Sequence, residues 1–487
     1  MKLWLNAIPT KLLLKNRGIP TGEKKRGAMN KKLNLKRAVV SSLAVSVLGS
    51  LLLGITPQQA TAAGETISVA VVNNPDMIRM QGFVSDFTKK TGIKVKFVTL
   101  PDADLRPKVT AAAATKSGLY DVVMISPVEI QSGWVTNKWV QPLTPLFAKD
   151  SKADQTAYDV KDVLPAVRDS LSVANNLYAL PFYGESNFTM YRKDLFDAAG
   201  LKMPNNPTWA QIAEFAKKLN DPANNQYGVI LKGLPVGGQL APLLTVINSY
   251  KARWFDMNWQ PQLTSAPFKQ AVTDYVNLVR NYGEPGASSV GFSEGLGLMQ
   301  QGKGAIWIDA TVAAGLLQDP ANSKVVGKIG YAQAPTVDGS QVNGSHWLYS
   351  WAFGLVSGSK HSAAGFKFMK WATSKDYIKL VANKFGWNQI PPGTRTSTYS
   401  NANYLKVADF AKATLGAMNT ATNNKPSALP VPYRGTTGVY IPEWSDIANN
   451  FAQGLSAAVS GTKTVDQWLT DSQAYALGVM TKAGYYK

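Results

Sequence analysis

The hydrophobic pattern between Thr66 and Phe97 changes period twice, and that change restricts the fold more than any other feature of the chain. Thr66 to Val72 reads as a short strand ending at Asn73-Asn74-Pro75. Met77, Met80, Phe83, Val84 and Phe87 then recur at three- and four-residue spacing, a helix with one apolar face, and Gly92 stops it. Ile93, Val95 and Phe97 alternate as a second strand. Strand, helix and strand in so short a run require a parallel pair joined by a right-handed crossover, so the chain opens as an α/β sheet. An Ala-rich helix at residues 109–114 and a buried strand at 120–125 continue it, the strand ending at Ser126-Pro127. Open α/β sheets bind ligands beyond the carboxyl ends of their strands. Asn73, Asn74 and Ser126 stand at such ends, although each also suits a turn.

Residues 1–62 read as a separate segment. Lys31, Lys32, Lys36 and Arg37 precede an uncharged run over 38–55, followed by Pro57 and Ala60-Thr61-Ala62-Ala63. Basic, apolar, then Ala-x-Ala is the order of a secretory signal peptide, with cleavage expected near Ala62-Ala63. The apolar run is long enough for a membrane anchor, but its Ser and Gly content and the Ala-x-Ala site favour cleavage. Met29 directly precedes the basic segment, so residues 1–28 read as an upstream extension. The chain has no cysteine; no disulfide holds the fold and no lipid can be attached after the apolar run, which predicts a soluble periplasmic protein. The formal charge of +20 is concentrated at the start: residues 1–62 hold eleven Lys+Arg and one acid, leaving +10 for the rest. The remaining lysines are dispersed, without an aromatic-basic array, so no nucleic-acid partner is expected.

At 487 residues the chain calls for two or more lobes, and residues 178–196 read as the passage between them. Pro181 blocks a helix and biases Leu180 to extended geometry. Gly184 permits a bend or a close approach, and beyond it Phe188, Met190 and Arg192 alternate with Asn187, Thr189 and Tyr191 as a strand. Glu185 sits among Tyr183, Asn187 and Phe188, an acid beside aromatic rings. Further on, Trp254 and Trp259 bracket Asp256. Gly302-Lys303-Gly304 lacks the spacing of a phosphate loop. It leads into a short strand at 305–308 that ends at Asp309, which either caps the following helix or faces a cleft. Residues 386–395 form a Pro-Pro-Gly loop presenting Trp387 and Arg395, and the tail from Trp444 onward is mostly helical in pattern.

Four segments, Val71-Val72-Asn73-Asn74, Pro181-Phe182-Tyr183-Gly184-Glu185-Ser186, Ile308-Asp309-Ala310-Thr311-Val312-Ala313-Ala314 and Pro391-Pro392-Gly393-Thr394-Arg395, make the chain resemble the family 1 extracellular solute-binding proteins of ATP-binding-cassette importers. It is most similar to their sorbitol/mannitol-binding branch. Ser126-Pro127-Val128-Glu129 departs from the Gly- or Thr-containing loop expected there. The resemblance implies a two-lobed α/β periplasmic-binding-protein fold of type II, maltose-binding-protein-like, with the ligand in the cleft between lobes. The lobes are expected at 63–180 with 333–385, and at 181–332 with 386–487. The implied ligand is a sugar alcohol or small sugar, and the implied partners are a membrane permease and its ATPase. A monomer without cofactor or metal is expected. Hydroxyl-rich ligands need carboxylates and guanidinium for charge-assisted hydrogen bonds and rings for their C–H faces. The candidate site is therefore Asn73, Asn74, Tyr183, Glu185, Asp256, Trp307, Asp309, Trp351, Trp387 and Arg395. The competing reading is a secreted glycoside hydrolase in which Glu185 and Asp309 flank a glycosidic bond. Of the two histidines, His361 reads as a surface residue at a helix start, and no HExxH, CxxC or Ser-His-Asp order is present.

Overall fold

The protein's structure, a computed structural model, describes residues 64–486. The expected leader and its cleavage site lie outside the described residues. Two open sheets frame the molecule. The first has the order Lys94–Leu100, Thr66–Val72, Val122–Ile125, Tyr349–Leu355, Ala179–Glu185. Its first three strands are parallel and its last two antiparallel to their neighbours. The opening strand–helix–strand unit is present as read, except that the helix is two helices, Pro75–Gly82 and Val84–Thr91, meeting at Phe83. The second sheet has the order Ile329–Ala332, Asn187–Arg192, Gly304–Ala310, Tyr227–Ile230. Helices cover both sheets, giving a two-lobed α/β architecture.

The chain changes sheet at Ser186 and again between Ala332 and Tyr349. The first change falls inside the passage expected over residues 178–196, a few residues past the lobe boundary expected after residue 180. Pro181 sits within this edge strand as its extended bias suggests, at the point where the ladder slips between Trp351 and Ala352: Pro181 pairs with Ala352 and Phe182 is passed over. The passage is tied down by side chains. Asn187 donates to Thr245 Oγ1 (3.3 Å) and to the Ser345 carbonyl (3.2 Å), and accepts from the Trp347 N–H at 3.0 Å. Ser186 exchanges bonds with Thr311 through both its N–H and its carbonyl.

Alternation along the second sheet divides two cores. Phe188, Met190 and Trp307 face the core shared with the first sheet, while Ile306, Ile308 and Val229 face the core built with Trp444, Phe451 and Trp468 of the C-terminal helices. Ile390, Tyr404, Phe410 and Met418 also join the shared core, and the tail contributes to the other core from Val431 onward. The stretch after residue 386 thus does not pack as one piece with the helices that end the chain. Its apolar side chains pack on the other face of the second sheet, Phe410 lying against Tyr331 with ring centres 5.7 Å apart.

Candidate functional site: the cavity between the sheets

Between the two sheets lies a cavity of about 340 Å³. Its floor is one face of the first sheet. Glu185 pairs with Tyr349 and Tyr183 with Trp351 across adjacent strands. Residues two apart on a strand share a face, so the four side chains form one patch, which Trp347 extends. Asn73 and Asn74 line the cavity where the strand Thr66–Val72 ends, and Pro101, Asp102 and Ala103 where Lys94–Leu100 ends. The second lobe supplies the opposite wall with Lys232, Gln239, Phe292, Glu294 and Ala310.

Two glycines hold the floor in place. The Gly184 N–H donates to the Pro392 carbonyl at 3.0 Å, and the backbones of Gly184 and Gly393 touch. A Cβ on Gly184 would lie 2.3 Å from the Gly393 carbonyl oxygen, and Gly393 itself has φ +74°. The Pro-Phe-Tyr-Gly-Glu-Ser and Pro-Pro-Gly-Thr-Arg segments therefore meet, and the second props the strand end that carries Tyr183 and Glu185.

Glu185 and Trp347 each leave a buried polar atom on the floor without a partner among the described residues, and Glu185 is the ionisable one of the two. It is 8 % exposed, and its Oε2 has no hydrogen-bond partner among the described residues. Burial is the main cause of its raised pKa; Lys232 pulls the other way, Asp309 and Asp76 push further up, and the carboxyl ends at about 8. The Tyr183 hydroxyl accepts from Asn74 Nδ2 at 3.1 Å, while Asn74 Oδ1 caps the helix Pro75–Gly82. Burial, reinforced by Glu185, lifts the Tyr183 phenol well above its ordinary value, so it keeps a proton to donate.

Arg106 fixes the ring side of the floor. It donates to Asp102 (2.8 Å), to Glu129 and to the Tyr349 hydroxyl (2.6 Å), and its guanidinium lies 4.7 Å from the centre of the Trp351 ring. The divergent Ser126-Pro127-Val128-Glu129 loop thus has a defined place. Ser126 and Glu129 form a capping box, and the same Glu129 carboxylate pairs with Arg106.

The other candidates stand elsewhere. Asp309 is fully buried on the strand Gly304–Ala310, its Oδ1 3.0 Å from Lys232 Nζ, so Lys232 rather than Asp309 faces the cavity. It does not cap the following helix, whose N-cap is Val312. Trp307 packs behind Phe292, ring centres 5.7 Å apart. Arg395, 1 % exposed, donates to the carbonyls of Thr373 and Asp159 and to the Asp162 carboxylate, over the ring of Tyr158. Asp256 closes a turn by accepting from the Asn258 and Gln260 N–H groups, each at 2.9 Å. Trp387 begins a 3₁₀ turn packed on the shared core. None of these five lines the cavity. No cluster of His, Asp and Glu suited to a metal ion occurs among the described residues.

The sequence model of the family described as bacterial extracellular solute-binding protein matches residues 74–379. The chain belongs to this family. Among relatives of this solute-binding protein, the mannitol-binding protein of Pseudomonas aeruginosa is 43% identical over 425 residues, covering 87% of this chain and 95% of the relative. The erythritol/L-threitol-binding protein of Mycolicibacterium smegmatis is 24% identical over 346 residues, covering 65% of this chain and 68% of that one. A crystal structure of an ABC-transporter solute-binding protein from Agrobacterium vitis S4 with bound D-mannitol superposes with a TM-score of 0.83 at 48% identity, covering 87% of this chain and all of that one. The solute-binding protein is a carrier and not an enzyme, which removes the hydrolase reading. The pair named in that reading is also not assembled: Asp309 is covered by Lys232 and does not line the cavity with Glu185.

Proposed function

We propose that this protein is the exported binding component of an ATP-binding-cassette importer, and that its cavity takes one uncharged sugar alcohol of about hexitol size. The observation that carries this reading is the partnerless Glu185 Oε2 on a shared face with Tyr183, Tyr349 and Trp351. Adjacent hydroxyls of a polyol supply the missing donors to Glu185, the Tyr183 hydroxyl donates in return, and the Trp351 ring covers the C–H face. At about 340 Å³ the cavity is near the small end of ligand pockets, roughly 300–1,000 Å³, which suits a six-carbon chain better than an oligosaccharide. The polyols named for the relatives support the same class.

The lobes turn about Ser186 and the passage from Ala332 to Tyr349, closing on the ligand in proportion to its preference for the closed form. The mature chain is a periplasmic monomer starting at Ala63 or Gly64, delivering its ligand to a permease coupled to an ATPase. Intact mass of the periplasmic form checks the start, and a mass retaining residues 51–55 would indicate an anchor instead. The decisive experiment is calorimetric titration of the mature protein with D-mannitol, D-sorbitol, erythritol, D-glucose and maltose, beside thermal melting. A hexitol at a hundred times its Kd should add about 2.7 kcal/mol of stability. A response to maltose without response to any polyol overturns the polyol reading.

A further inference from the structure

Two cations line the cavity, and both are already engaged. Arg106 is held by Asp102, Glu129 and the Tyr349 hydroxyl. Lys232 follows the apolar strand Tyr227–Ile230, and its Nζ rests 3.0 Å from Asp309 Oδ1 and 5.7 Å from the centre of the Phe292 ring. Asp309 reaches the cavity through no atom of its own.

We propose that Asp309 sets specificity by holding Lys232 in a buried ion pair, so that the site accepts neutral polyols and refuses those carrying a carboxylate. The inference rests on the polyol reading of the same cavity. An incoming anion would meet the Asp102 and Glu294 carboxylates among the lining residues, with no cation left to receive it. Lys232 cannot serve two carboxylates without loss, because a buried ammonium released from its partner must be paired again. Discrimination then comes from repulsion built into the site and not from contacts to the preferred ligand. Asn at 309 keeps the shape and the oxygen that accepts from the Ala310 N–H (2.7 Å) while removing the charge. In that variant Lys232 becomes available to a ligand carboxylate. The Lys232 stem remains packed and its head already borders the cavity, so no rearrangement of the fold is required.

The test uses D-mannitol, the anionic D-gluconate and the cationic D-glucamine, titrated into the mature protein by calorimetry. Wild type should bind gluconate at least about a hundredfold more weakly than mannitol. Asp309→Asn should gain at least about tenfold for gluconate relative to wild type, and Asp309→Asn with Lys232→Met should lose that gain. An unchanged gluconate affinity in folded Asp309→Asn overturns the proposal. Should that variant fail to fold by circular dichroism, the wild-type series decides: glucamine binding more tightly than gluconate supports it, and gluconate matching glucamine or mannitol overturns it. A wild type that takes no neutral polyol, with a variant that still gains gluconate, upholds the masking of Lys232 and overturns the polyol reading alone.

Discussion

Glu185 and Arg395 are both buried ionisable groups, both come from segments that carry the family resemblance, and they do opposite work. Every direction around Arg395 is filled: two backbone carbonyls, the Asp162 carboxylate and the ring of Tyr158. Glu185 is surrounded by groups that do not satisfy it, leaving Oε2 without a donor among the described residues. A buried charge whose partners are complete belongs to the fold, since nothing remains to offer a ligand. A buried carboxyl with an unpartnered oxygen, on a residue that lines a cavity, is costly unless something else supplies the partner. The two sites are coupled mechanically, because the Pro-Pro-Gly loop anchored by Arg395 supports the Gly184 backbone next to Glu185.

The largest expected effect lies on the Arg395 side. Arg395→Ala leaves Asp162 short of a partner and the Thr373 carbonyl without a donor, and should lower the unfolding free energy by about 3–5 kcal/mol. Ligand affinity of the fraction that remains folded should be nearly unchanged. Chemical denaturation beside calorimetry measures both. The comparison breaks if affinity collapses while the denaturation midpoint holds.

A second effect separates the two charges by pH. The folded chain holds the Glu185 proton to about pH 8, whereas an unperturbed glutamate releases it near 4.5. The folded state therefore binds more protons across that window, so the contribution is full below pH 4.5 and is lost as pH rises toward 8. The decline should be at most about 5 kcal/mol in the ligand-free protein. Glu185→Gln should flatten the profile between those pH values, read from denaturation at matched ionic strength. Identical profiles for wild type and variant would show that Glu185 is not buried in the protonated form.

Affinity gives the mirror image of the Arg395 result. Glu185→Ala removes the acceptor for ligand hydroxyls and should cost about 1.5–3 kcal/mol of binding, a loss of ten- to more than a hundredfold. Its ligand-free melting temperature should hold or rise, because an unsatisfied buried carboxyl is gone. A fall in stability with affinity intact would make Glu185 a structural residue like Arg395 and end the distinction.

The sequence carried the frame and half of the cavity for a clear reason. Period-two alternation announces which residues of one strand share a face, so Tyr183 with Glu185 was legible, as was the strand end at Asn73 and Asn74. What lies across the space is not periodic. Arg395 looked available because Asp159, Asp162 and Thr373, far away in sequence, could not be seen to enclose it. Trp307 looked like a stacking ring because alternation gives its face but not Phe292 in front of it. Signals for some missed residues were present. Asp102 and Arg106 stand four apart at a helix start, Ser126 and Glu129 have capping-box spacing, and Lys232 is a charge directly after an apolar strand. Each marks a polar residue near a strand's carboxyl end, where the fold puts its ligand.

The smallest effect sharpens the comparison by adding a third kind of polar contact, one made between lobes. Gln239 Nε2 donates to Asp102 Oδ2 at 3.1 Å, and Gln239 Oε1 accepts from the Phe292 N–H at 3.2 Å. Asp102 begins a helix of the first lobe, while Gln239 ends a short 3₁₀ helix, Gly237–Gln239, of the second. Such a bond exists only when the lobes are together, so it weights the closed form without contributing to either lobe alone. Gln239→Ala should weaken ligand binding by about 0.5–1.5 kcal/mol, which is up to roughly tenfold. Its ligand-free melting temperature should stay close to wild type, unlike that of Arg395→Ala. Small-angle scattering supplies the structural readout: wild type should contract on saturation with a hexitol, and the variant should need more ligand to reach the same radius of gyration. A variant that contracts at the wild-type concentration would remove Gln239 from the closure, leaving the Asp102 contact as a surface hydrogen bond of no consequence to binding.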